Sequence, residues 1–209
     1  MFHLLMKVPR KVCIAVSGGA DSMAVLDFLK NNHDVTVAHF NHGTPHGSIA
    51  QNFVVEYAHR HTLKMYTRHI DDFGPRMPKG VSKENFWRQR RYDFFDHATI
   101  AADGSREALV LAHNLDDAVE TWLFSTINGR PDLIPSTRGN IIRPFLLAKK
   151  SLLRSWCVRK EIPFLDDPAN NELAHPRVRL RNVIIPEILK INPGIYKVVA
   201  KKYLAQKEK

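Results

Sequence analysis

With 209 residues and 44% hydrophobic composition, the chain can bury one sizeable core, or form one domain with a small appendage. Lysine and arginine number 31 against 21 aspartates and glutamates, and this formal +10 favours polyanionic partners, since each neutralised phosphate releases counterions. The distant Cys13 and Cys157 argue against a disulfide framework or a thiolate metal site, and no apolar run approaches the ~20 residues of a membrane helix.

The opening MFHLLMKVPRKV has too short an apolar part for a signal peptide, so a reducing, cytoplasmic location is expected. Residues 11–16 read as a buried strand that stops at two glycines, and a helix pattern begins at once over 21–31, with Met23, Leu26 and Leu29 on one side. DVTVAHF (34–40) is a second strand, and NHGTPHG (41–47) reads as a loop by its glycines and proline. A helix over 48–61 and a strand over 63–70 follow. DDFGPRMPKG (71–80) breaks the chain before a long helix at 82–101. The apolar strand ALVLAH (108–113), a helix from about 114 to 127, and a loop with Gly129, Pro131 and Pro135 complete this part. The character then changes. LLAKKSLLRSWCVRK is a basic amphipathic helix, and RVRLRNVIIPEILKI clusters arginines ahead of a proline break, so 146–209 are expected to form a small helical extension.

Apolar strands alternating with helices imply an α/β fold, a Rossmann-like doubly wound parallel sheet covered on both faces. Ligands in such sheets bind beyond the carboxyl ends of the strands, where the strand order reverses. The glycine turn, NHG and HNLDD all fall at such ends, so one cleft can gather them.

The turn itself is SGGADS, Ser17 to Ser22. It lacks the lysine of G-x-x-x-x-G-K-[ST] and the third glycine of G-x-G-x-x-G, so neither the usual phosphate-transfer loop nor a dinucleotide loop fits. Gly18 and Gly19 let the backbone close on a phosphate, while the Ser17 and Ser22 hydroxyls and the first helical amides donate to its oxygens. A carboxylate repels phosphate, so Asp21 makes sense if it binds Mg²⁺ bridging the phosphates or orients the attacking group. The plain alternative is a turn in which Ser or Asp merely caps the helix.

SGGADS resembles the pyrophosphate loop of the N-type ATP pyrophosphatases, which split ATP to AMP and pyrophosphate. Four further stretches are similar to motifs of the tRNA(Ile)-lysidine synthetases within that group: AHFNHG (38–43), WRQRRYDFF (87–95), LAHNLDDAVET (111–121), and IIRPFL with FLDDPANNELAHPRVRLRNVIIPEI. The resemblance runs in order from residue 12 to about 190. It implies ATP-dependent adenylation of C2 of the wobble cytidine in the CAU anticodon of tRNA(Ile). Displacement of AMP by the ε-amine of free L-lysine then follows. It also implies a 1–145 catalytic domain of the PP-loop ATPase fold, a 146–209 extension that contacts tRNA, and a homodimer, since family members often pair.

Carried over residue by residue, the resemblance implies ATP binding by Ser17, Gly18, Gly19, Ala20, Asp21, Ser22, His39 and Asn41. Asp21, with Mg²⁺, Arg88, His113 and Arg177 are the implied catalytic residues. By the resemblance Asp117 and Glu120 would bind lysine; spacing alone puts Asp116 or Asp117, with Glu120, on one helical face at its N-terminal end, where the helix dipole favours carboxylates and plain charge placement is the alternative. Arg91, Arg179 and Arg181 would contact tRNA. Arg88 and Arg91 otherwise read as a solvated basic stripe, His113 as a neutral hydrogen-bonder, and His39 with His42 as a metal pair lacking an acidic neighbour. The chain departs from the family pattern at Pro45, Trp87, Asn114, Ala118 and Val178, and the larger C-terminal domains of long members have no counterpart, so a short form is expected. A related tRNA thiolase would need a well-placed cysteine, and a non-catalytic RNA- or nucleotide-binding descendant would tolerate the departures.

Overall fold

The computed structural model describes residues 2–74, 80–101, 103–168 and 175–207. Strand β1 (Lys11–Ala15) lies inside a six-stranded sheet of order β3-β2-β1-β4-β6-β5. Its neighbours β2 (Asp34–Asn41) and β4 (Ala108–Val110) both run parallel to it. Strand β3 (Lys64–His69) extends the sheet on one side, while β6 (Ile141–Ile142) and the antiparallel β5 (Thr137–Arg138) extend it on the other. The chain leaves β1 in one direction toward β2 and β3, then crosses back to β4. The reversal therefore falls between β1 and β4, where an open α/β sheet leaves a crevice.

Side-chain alternation sends each strand into two cores. Val12, Ile14, Val37 and Val110 point to one face, packed by α1 (Ala20–Lys30), α2 (Pro45–Arg60) and α5 (Lys150–Arg159) through Met23, Leu26, Val54 and Leu153. Cys13, Ala38 and Leu109 point to the other, packed by Phe94, Phe95 and Ala98 of α3 (Lys83–Ala98). A third core joins Ala118 and Val119 of α4 (Leu115–Ile127) to Ile185 of α7 (Ile185–Ile191) and Val199 and Tyr203 of α8 (Ile195–Lys207). The expected doubly wound α/β architecture is the one observed.

Local differences have local causes. Helix α2 starts at Pro45, inside the expected loop, because the Thr44 hydroxyl accepts from Gly47 N at 2.9 Å and proline suits a first helical position that needs no donor. The segment after α4 supplies β5 and β6, two residues each and too short to show a period. The arginine-rich stretch forms a short α6 (Pro176–Arg179), a π-helical turn (Leu180–Ile184) and then α7. Pro186 removes a helical donor and crowds the carbonyl four residues back, and the wider turn absorbs both effects. Residues 75–79 of the expected chain break and 169–174 of the last motif block lie outside the described residues.

Candidate active site

The turn after β1 is built around a left-handed glycine: Gly18 has φ +89°, a conformation that a side chain would strain. Inside the turn, Ser22 Oγ accepts from Ser17 N (3.1 Å), donates to Gly19 O (3.0 Å) and lies 3.2 Å from Ser17 Oγ. Gly19 occupies the N-cap of α1, and no side chain caps that helix. The plain reading, Ser or Asp as a cap, is thus not what the fold does. The α1 amides face a cavity of about 790 Å³ with the positive end of the helix behind them, an arrangement that suits an anion. From outside, Leu165 N donates to Gly18 O at 2.9 Å and holds the turn in place.

Across the cavity stands the N-terminus of α4. Asn114 caps it, with Oδ1 accepting from the Asp116 and Asp117 amides, and Asp117 Oδ2 accepts in return from Asn114 N (3.1 Å). Of the two adjacent aspartates, Asp116 is structural: it accepts from Lys150 N (2.7 Å) and from the Tyr196 hydroxyl (3.0 Å). Asp117 lines the cavity, and burial raises its pKa. Glu120 also lines it, only 4% exposed, and is gripped by Arg177 Nη1 (3.0 Å) and by Arg181 Nη2 (2.7 Å). Asp21 faces them from α1. Burial pushes its pKa up to about 6, against the pull of Lys150 Nζ at 3.6 Å, and its Oδ1 is buried without a hydrogen-bond partner among the described residues.

Two histidines have tautomers dictated by their partners. His113 Nδ1 faces Arg143 Nε at 3.1 Å, and a guanidinium only donates, so Nδ1 carries the lone pair and Nε2 the proton. Burial, then Arg143 and the neighbouring arginines, pull its pKa down to about 4 and keep the ring neutral. His39 Nδ1 donates to Val16 O (2.8 Å), which leaves Nε2 as a buried acceptor with no partner among the described residues. Burial likewise lowers the His42 pKa to about 4. No group of three or more metal-ligating side chains occurs among the described residues.

The cavity brings together Ser17, Gly19, Ala20, Asp21, Ser22, His39, Arg88, Arg91, His113, Asp117, Glu120 and Arg177 from the expected set. Gly18 shapes the turn from behind. Asn41 stays out of the wall: it holds Gln51 Oε1 (3.0 Å) and accepts from Gly43 N (2.9 Å), pinning the loop after β2. Arg179 is exposed outside the cavity, and Arg181 lies outside its wall, paired with Glu120 and acting through charge on Asp117. Four lysines and arginines escaped the sequence reading as site members: Arg138, Arg143, Lys150 and Arg154, all in the cavity wall. Arg143 sits in the quoted IIRPFL block, which was the available signal; Lys150 and Arg154 lie in a helix read as peripheral.

The departures from the family pattern fall on packing or capping positions. Pro45 opens α2, Asn114 caps α4, and Ala118 is fully buried in the third core. Trp87 stacks near His42, ring centroids 5.2 Å apart, and Val178 is buried. Both cysteines are buried with thiol pKa values pushed up by burial, Cys13 to about 12 and Cys157 to about 11, far from thiolate chemistry.

Comparison with known proteins gives the family and the fold. The chain is 30% identical over 210 aligned residues to the tRNA(Ile)-lysidine synthase of Oceanobacillus iheyensis, covering 93% of the chain and 44% of that protein. It is 31% identical to the bifunctional protein TilS/HprT of Listeria monocytogenes, covering 93% and 32% respectively. The chain therefore spans less than half the length of these curated relatives. Among solved structures, the U34-tRNA thiolase NcsA of Methanococcus maripaludis superposes with TM-score 0.74 at 17% identity, over 98% of this chain and 74% of that one. The NH3-dependent NAD synthetase of Campylobacter jejuni gives 0.52 at 13% identity, over 96% and 86%, and both likenesses speak to the fold. Residues 2–188 match the PP-loop domain, and the chain belongs to that family.

Proposed function

We propose that the cavity carries out tRNA(Ile)-lysidine synthesis, the activity named for the relatives, and that it does so in the cytoplasm. The C2 oxygen of the wobble cytidine attacks the α-phosphorus of ATP, and the bond to pyrophosphate breaks. The lysine ε-amine then attacks C2 and AMP leaves. One observation carries the reading: the uncapped α1 amides with the SGGADS turn, and the Asp117–Glu120 carboxylates of α4, open onto the same cavity.

In this reading Ser17, Ser22 and the α1 amides hold the outer phosphates, and Arg88 and Arg143 stabilise charge as pyrophosphate departs. Asp21, ionised above about pH 6 and with Oδ1 unpartnered, fits a Mg²⁺ held jointly with phosphate oxygens. Bound there, Mg²⁺ would neutralise phosphate charge. Neutral His113 donates from Nε2 rather than acting as a base. Asp117 supplies the field for the lysine ammonium, and Glu120 adds to it when Arg177 turns toward the phosphates. Arg179 and the basic helices after residue 146 meet the tRNA backbone.

The test is incubation with tRNA transcripts, ATP, Mg²⁺ and radiolabelled lysine. The expected result is label in the CAU-anticodon RNA with AMP and pyrophosphate released. Production of ADP, or AMP release without lysine transfer to RNA, would overturn the assignment.

A further inference from the structure

A second hollow, of about 620 Å³, opens between α3 and the β5–β6 turn. It shares Arg88, Tyr92, Phe95 and Arg138 with the reaction cavity, so the two adjoin through a common wall. Its polar groups sort by sign. The Arg88 guanidinium lies over the Tyr92 ring, 5.2 Å from the centroid, and neither Arg88 nor Arg138 has a carboxylate partner among the described residues. The remaining acid of the lining, Asp96, is tied to Arg106.

Two of the three carboxamides in the lining, Gln89 and Asn140, present the opposite polarity. Gln89 Nε2 donates to Asp93 Oδ1 (2.8 Å), and Asn140 Nδ2 donates to Thr99 Oγ1 and Glu107 O (both 3.1 Å). A carboxylate and a backbone carbonyl only accept, so the orientation of each amide is fixed, and each keeps a carbonyl oxygen with no donor among the described residues. Unpaired guanidiniums, an aromatic ring and open acceptors on one hollow match the parts of a nucleotide: phosphate, base face, and amino group on the base edge.

We propose that this hollow takes the nucleotide adjoining the one modified. Arg138 holds a phosphate between the two, and Gln89 and Asn140 accept an amino N–H from the neighbouring base. The assignment rests on the RNA substrate argued above and adds to it a specificity-determining subsite. It selects a base with an exocyclic amino group and rejects uracil, which has none. In a CAU anticodon the base after the cytidine is adenine, which carries one.

The test uses anticodon stem-loop RNAs with adenine, purine lacking the amino group, or uracil at that position. Each is titrated onto the full chain by fluorescence anisotropy and assayed in parallel for lysine incorporation. The adenine RNA is expected to bind about tenfold tighter than the purine RNA. Gln89→Met, at an exposed helical position, removes that difference while leaving purine binding unchanged. Arg138→Ala weakens all three RNAs alike and lowers the slope of log Kd against log salt by about one. A wild-type chain that modifies RNA yet binds adenine and purine forms equally, or a Gln89→Met chain that still separates them, overturns the subsite and leaves the reaction standing. Absence of both RNA binding and lysine incorporation overturns the reaction itself.

Discussion

Asp21 sits where a carboxylate is disfavoured, and its burial raises the pKa to about 6. The native state therefore binds a proton more tightly than the unfolded chain, so this group's contribution favours folding at low pH and is lost as pH rises through about 6. Asp21→Asn removes that dependence. The variant is expected to gain on the wild type by about 1 kcal/mol between about pH 5 and about pH 8, measured by urea unfolding. It should also lose AMP formation by about a hundredfold or more, while RNA binding is spared. Equal pH profiles of stability would show that the carboxylate is not buried as described. A second residue-scale prediction concerns Arg143, itself buried, which donates to His113 Nδ1 and to Pro135 O (2.7 Å). Arg143→Met should leave the imidazole without its enforced tautomer. Nitrogen NMR of the wild type is expected to show a single Nε2–H form above about pH 5, because the pKa lies near about 4. In the variant the tautomers mix and the pKa rises only part of the way toward the ordinary imidazole range, since burial, the largest cause, and Arg91, Arg88 and Arg177 remain while the nearest cation is gone. A wild-type ring protonated at Nδ1 would sink the assignment.

Helix α4 is where several elements are tied together, each by a different acid. Asp117 closes its own N-terminus, Asp116 fastens α5 and α8, and Glu120 fastens the arginines of α6 and the π-helical turn. Glu120→Gln keeps the shape but turns one acceptor into a donor facing an arginine. With the arginine side chains 39% and 32% exposed, solvent softens the penalty, and a loss of about 1–2 kcal/mol in urea unfolding is expected. The lysine concentration needed for half-maximal incorporation should rise as well; an unchanged lysine requirement would move the amine pocket elsewhere. At this scale the sequence was most legible where local signals and topology agree. The run from Val12 to Leu26 announces strand, glycine turn and helix, and its place at a strand's carboxyl end puts it in the crevice. Legibility stopped where a role depends on distant partners. Asp116 and Asp117 are indistinguishable by spacing, and only Tyr196 and the Lys150 amide separate them. Lys150 and Arg154 looked peripheral because nothing in their own stretch says that α5 packs on α1 beside the turn. Glycine and proline suggested a loop at 41–47, whereas Thr44 and Pro45 start a helix there.

At the scale of the whole molecule, the central sheet carries the glycine turn while the later helices complete the cavity around it. Leu153 of α5 shares a core with Val12 and Met23, and Leu165 bonds the turn directly, so the turn and the basic later helices are mechanically continuous. Of the formal charge of +10, residues 1–145 carry +2 and residues 146–209 carry +8, so the surplus lies on the later helices. That distribution makes a testable claim about the RNA complex, because charge that serves only solubility leaves no mark on binding, whereas charge that touches phosphates releases counterions. Arg91 and Arg138 at the cavities, Arg179 outside them, and the exposed Lys201 and Lys202 of α8 give a footprint of about five phosphate contacts. For a largely single-stranded loop, five contacts give a slope of log Kd against log salt with magnitude about 3.5. Anisotropy titrations of the anticodon stem-loop over a range of potassium chloride should return a slope near that value. Arg179→Ala should lower it by about one while leaving ATP-dependent AMP formation on saturating RNA intact, because that side chain lies outside the cavity. A slope close to zero would mean that the surplus of basic residues faces water rather than RNA.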